Sequence, residues 1–215
     1  MIATLITVLD LCGVAVFAVT GGLVASRKQM DIVGFALLAT VTGIGGGTLR
    51  DLVLGVTPVF WVQQPVYIAV CVAVAAIVFF TAHIPESRYR LLLWLDAFGL
   101  SFFCVVGADK ALAAGAGPFV AIVMGVITAT FGGVVRDVLG GEIPVILRRE
   151  IYATAALVGS GAFVAALVLG IPGVAAALLG FAACLAIRGL ALQRGWSLPV
   201  YRARPGRSPD ETDRR

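Results

Sequence analysis

Moved along itself by 86 residues, the sequence repeats without a gap, Leu9-Asp10 falling on Leu95-Asp96, Gly13 on Gly99, Phe17 on Phe103 and Gly21 on Gly107. Further along, Thr42 falls on Thr128, Gly46-Gly47 on Gly132-Gly133, Arg50-Asp51 on Arg136-Asp137, and Gly55, Pro58 and Val59 on Gly141, Pro144 and Val145. Apolar runs at about 3–25, 31–54, 62–82, 91–108, 118–140, 150–169 and 173–193 mark seven candidate membrane spans. With three spans in each copy, an odd number, the second copy enters the bilayer from the opposite side to the first. The halves are then related by a pseudo-two-fold axis in the membrane plane. The expected fold is therefore all-α and polytopic, with a first repeat over 1–85, an inverted repeat over 86–171, a seventh helix over 172–195 and a basic tail over 196–215.

Composition supports the membrane reading. The chain is 60% hydrophobic and 13% charged with a mean hydropathy of +1.03, too few charges to cover a soluble domain. With the N-terminus outside, Arg27, Lys28, Arg88, Arg90, Arg148, Arg149, Arg188, Arg194 and the arginines of the tail fall inside, against Lys110 alone in the outer loops. This bias predicts an outside N-terminus and a cytoplasmic C-terminus. It also assigns the +4 net charge to anionic lipid headgroups at the inner face rather than to nucleic acid. The N-terminal run has Asp10 at its centre and no basic leader, so it reads as a retained span. Cys12, Cys71, Cys104 and Cys184 stand singly in apolar runs and read as small buried hydrophobes. His83 reads as a surface residue.

The candidate functional residues are those that are expensive in hydrocarbon. The stretches GGGTLRD and FGGVVRD place glycines (Gly45, Gly46, Gly47; Gly132, Gly133) just before Arg50-Asp51 and Arg136-Asp137. Each buried charge costs at least ~2.5 kcal/mol on insertion scales, so a functional role and a named partner are expected. The topology pairs Asp10 with Arg50 near one face and Asp96 with Arg136 near the other. Because neighbouring helical residues diverge by about 100°, Arg and Asp within each dipeptide are not expected to face one another. The glycine clusters are expected to break helices two and five and to free backbone groups toward a polar path. Their alternative use is close helix packing. Thr48 heads a T-L-R-D capping pattern. Thr20, Thr40, Thr42, Thr128 and Thr130 supply hydroxyls that either line the path or bond back to their own helices.

On these residues, GGGTLRDLVLG and PVFW with FGGVVRDVLGGEIPVILRREIYA, the chain resembles the prokaryotic members of the trimeric intracellular cation (TRIC) channel family, also labelled glycine transporters. The resemblance covers residues 1–195. It implies a homotrimer in a prokaryotic inner (plasma) membrane, a pore through each protomer at the glycine clusters, and potassium conduction, potassium or sodium being the permeant ion and no cofactor needed. The phosphoinositide motif of animal members has no equivalent, and Phe131 stands where the first copy has Gly45. Inverted repeats equally describe a secondary transporter of glycine or another small amino acid. A third reading has the ion pairs only brace helices. Enzyme chemistry is not expected: there is no HExxH, no paired His/Cys spacing, and Ser160 has no His or Asp nearby in sequence.

Overall fold

The computed structural model describes residues 2–85, 87–148 and 150–199. Among these, eight α-helices follow one another: α1 (Ile2–Arg27), α2 (Ile32–Leu54), α3 (Phe60–Gln63), α4 (Val66–Thr81), α5 (Arg88–Ala113), α6 (Pro118–Leu139), α7 (Ala153–Val168) and α8 (Gly173–Arg194), with a 3-10 turn at Val145–Leu147. Local chemistry sets the ends. Asp31 Oδ1 accepts the Gly34 amide at 2.8 Å at the start of α2, and Gly55, at φ 69°, closes it in the left-handed conformation. Asp31→Ala should destabilise the protein by about 1 kcal/mol, read as a small fall in Tm in detergent. No change would mean that packing alone holds this helix end.

Among the described residues five helices are long and apolar enough to cross a membrane, whereas α4 and α7 have 16 residues each. The expected third and sixth spans are thus shortened. At about 1.5 Å per residue each reaches ~24 Å, less than a typical hydrocarbon core. Gln63-Gln64-Pro65 ends the short α3 before α4 can start, because a residue preceding proline is pushed out of helical geometry. Large apolar side chains such as Leu52, Val53, Ile77, Phe80 and Phe119 stand exposed, the surface expected of a protein immersed in lipid or packed against copies of itself. Cys71, Cys104 and Cys184 are buried as expected, but Cys12 is on the outside. The residues 200–215 of the basic tail, and Arg149, lie outside the described residues.

The repeat is visible in reciprocal contacts. Phe17 of α1 and Phe103 of α5 meet edge to face with centroids 5.2 Å apart. Gly13 backs onto the Phe103 ring and Gly99 onto the Phe17 ring, with ring carbons 3.1 and 2.2 Å from where a Cβ would lie. At the crossing of α2 and α6, a Cβ on Gly46 would fall 2.0 Å from the Thr128 carbonyl oxygen, and one on Gly132 2.3 Å from that of Thr42. Residue i of one half meets residue j of the other and vice versa, as a two-fold relation requires.

These contacts correct the broken-helix expectation. Both α2 and α6 run continuously through their glycines. The glycines let two intact helices cross with backbone against backbone, and that close approach leaves the hydrogen-bond ladders closed. Thr48 lies inside α2 and donates to the Ile44 carbonyl at 2.8 Å, so no half-helix restarts there.

Candidate functional site: two polar clusters around the helix crossing

The repeated Arg-Asp dipeptides build two clusters. In the first, Arg50 donates from Nε and Nη2 to Asp51 Oδ1 at 2.9 and 2.6 Å. Asp51 Oδ2 accepts the Phe60 amide at 2.9 Å. In the second, Arg136 Nε donates to Asp137 Oδ1 at 2.8 Å, and Asp137 Oδ2 accepts the Val145 amide at 3.0 Å. Adjacent residues therefore do meet, contrary to the helical-wheel expectation. Direction along the wheel separates Cβ atoms, but a long arginine can fold back to a short neighbour at a helix end. The shared purpose of the dipeptide is now explicit. Its carboxylate holds the arginine with one oxygen and the first amide of the following turn with the other.

The expected partners are half met. Asp96 Oδ1 accepts Arg136 Nη1 at 2.8 Å, with Thr20 Oγ1 accepting the same nitrogen at 3.0 Å. Asp10 instead pairs with Lys110, and its Oδ2 also accepts the Tyr67 hydroxyl at 2.9 Å. Lys110 lies at the end of α5, where its ammonium sits 5.1 Å from the Phe60 ring centre. A lysine reaching across from the other half displaces the intra-repeat pair. Thr42 and Thr128 are buried and donate to Leu38 and Met124 carbonyls at 2.5 and 2.7 Å, and Thr130 likewise bonds back to Val126.

The clusters differ in access. Arg50, Asp51, Phe60, Gln63, Tyr67 and Lys110 line a cavity of about 350 Å³ that opens to the outside of the protomer. Asp96 and Arg136 are wholly buried and Asp137 nearly so. Sequence reasoning passed over Tyr67, Tyr152 and Arg188. It placed Arg188 with the loop cations, whereas Arg188 is buried in α8. There it donates to Glu150 Oε2 at 2.7 Å and the Ile151 carbonyl at 3.1 Å, and lies 5.1 Å from the Tyr152 ring centre. Its signal was available: Arg188 is charged within an otherwise apolar span. His83 is exposed as expected. Among the described residues no cluster of three or more His, Cys, Asp or Glu is placed to hold a metal.

The family model described as "Glycine transporter" matches twice, over residues 7–83 and 93–168. The chain belongs to that family. Its two matches begin 86 residues apart, the offset of the internal repeat. Among relatives of this glycine transporter family, a UPF0126 membrane protein of Vibrio cholerae is 43% identical over 202 residues, covering 92% of this chain and 83% of the relative. The UPF0126 inner membrane protein YadS of Escherichia coli is 41% identical over 195 residues, covering 90% and 94%. A solved TRIC trimeric intracellular cation channel orthologue from Rhodobacter sphaeroides shares 62% identity at a TM-score of 0.88, covering 90% of this chain and all of that one. A second structure, described as a basis for conductance through TRIC cation channels, shares 33% identity at a TM-score of 0.83, covering 93% of this chain and 98% of that one. The protein is thus a helical membrane protein of the TRIC-type, glycine-transporter-labelled family.

Proposed function

We propose that this chain is a monovalent cation channel, selective for potassium, with one path through each protomer of a homotrimer. The observation that carries the reading is the charged cavity of about 350 Å³ between the C-terminal ends of α2 and α5 and the α3–α4 segment, which is costly to maintain in an apolar body unless ions or polar solutes use it. Solved relatives described as cation channels support it. The path enters at Arg50, Asp51 and Lys110 and leaves past Asp96, Arg136 and Asp137. Each arginine carries its own aspartate, so neither presents an unscreened positive charge to a passing cation. The buried Arg136 cluster closes the path, and conduction needs Arg136 to move away from Asp96. The N-terminus faces outward across a bacterial inner membrane, with anionic headgroups at the Arg27, Lys28, Arg88 and Arg90 side.

One observation favours a second reading, a transporter of glycine or another small amino acid. One cluster is open while its equivalent is closed, which is what a single state of an alternating-access cycle looks like. Planar-bilayer recording of purified protein separates the two. A potassium gradient without glycine should produce discrete unitary currents. Saturable glycine uptake with no unitary currents would overturn the channel.

A further inference from the structure

We infer that the second cluster binds one alkali-metal cation, at Asp96 Oδ2 and the Tyr152 hydroxyl. The inference rests on comparing the two clusters across the repeat. In the first, Arg50 is answered by Asp51 and Asp10 by Lys110, so the charges cancel. In the second, Arg136 serves both Asp96 and Asp137, leaving one negative charge over. The difference is a single position. Lys110, shifted back by the 86-residue offset, falls on Val24, which is fully buried and supplies no charge. Arg188 does not fill the deficit, since it is paired with Glu150.

A net charge in a wholly buried cluster is far costlier than a matched pair, and a cation where an ammonium stands in the sister cluster removes that cost. The ligands are prepared. Asp96 Oδ2 and the Tyr152 hydroxyl are buried and have no hydrogen-bond partner among the described residues. The Asp96 carboxylate and the Tyr152 hydroxyl both flank Gly133, where a Cβ would lie 3.0 Å from the hydroxyl and 3.5 Å from Asp96 Oδ1, the carboxylate oxygen that Arg136 already holds. Carboxylate and hydroxyl oxygens are the ligands a hard cation takes. The sister carboxylate, Asp10, already combines a tyrosine hydroxyl and a cation on its Oδ2. Arg136 Nη2, also without a partner, lies 3.5 Å from the same point, so a bound ion has to keep clear of that guanidinium.

The proposal deepens the cation-channel reading but is tested apart from it. Purified full-length protein, solubilised in choline chloride, is titrated with potassium or sodium chloride at constant ionic strength and pH while Tm is followed. At about ten times the half-saturating concentration the folded state gains about tenfold in its equilibrium constant, a rise of roughly 3–6 °C for a chain of this size that grows with the logarithm of salt concentration. Asp96→Asn should abolish the rise, and Asp10→Asn should lower Tm yet keep it. Should Asp96→Asn not fold, Tyr152→Phe is read instead, with the half-saturating concentration raised about tenfold, the worth of a ligand of about 1.4 kcal/mol. Equal Tm in choline and alkali salts overturns the site, as does an alkali response unchanged in Asp96→Asn or, where that variant does not fold, in Tyr152→Phe. A rise produced by acid alone, with no alkali effect, assigns the missing charge to a proton and also overturns it. Unitary currents in bilayers are independent of all these outcomes, so the channel reading and the cation site fail separately.

Discussion

Gly46→Ala and Gly132→Ala should each prevent assembly of the folded protomer, while Gly45→Ala should be tolerated. The added methyl at 46 would fall 2.0 Å from the Thr128 carbonyl oxygen, and at 132 2.3 Å from that of Thr42. Both neighbours are backbone atoms, so no rotamer change relieves the overlap, and α2 must separate from α6. Overpacking relieved by side-chain shifts already costs about 1–3 kcal/mol; here the loss should exceed that range and appear as aggregation on detergent extraction. At Gly45 the nearest atom to an added Cβ is 3.9 Å away, the Gly132 Cα. There the replacement meets ordinary contact and gains helix propensity of up to about 1 kcal/mol. Size-exclusion profiles and Tm of the three variants decide the matter. If Gly45→Ala failed alongside the others, the cluster would act through backbone freedom, and the continuous helix would not be the working form.

The second large effect belongs to Arg136. Arg136→Met leaves Asp96 and Asp137 facing each other's charge in a fully buried site, and removal of one partner from such a site costs about 3–5 kcal/mol. Arg50→Met removes the partner of Asp51 alone, and Asp51 borders an open cavity where water can answer the charge. Its loss should be smaller, on the order of 1–2 kcal/mol, as for one charged hydrogen-bonding group left unmet. Denaturation in detergent should rank the variants in that order. Adding Asp137→Asn to Arg136→Met should recover part of the loss, because the two sites share one network. Equal losses at Arg50 and Arg136 would show that the clusters are energetically alike despite their different access.

Much of this architecture is written in one dimension. The repeat at 86 residues was enough to expect a two-fold relation, and Phe17 against Phe103 or Gly46 against Thr128 realise it. The Asp96–Arg136 pair was also legible, because both members lie in one repeat and a buried charge demands a partner. Asp10 defeated the same reasoning. Its partner Lys110 comes from the opposite half, 100 residues away, and periodicity within a repeat carries no information about contacts between repeats. The role of the glycines was legible as an alternative only. A glycine that breaks a helix and one that lets two intact helices touch look identical in sequence.

The sequence by itself determined the helical, apolar class of the chain, the duplication and the residues whose burial needed explaining, because those follow from hydrophobicity and from the cost of charge in an apolar medium. The tertiary structure decided which charges meet, and that the two halves are unequal. A duplicated sequence permits equal clusters, but Lys110 on one side and Val24 on the other divide the charges differently once the helices cross. One cluster is matched beside an open cavity. The other is sealed around Arg136, which answers two aspartates at once.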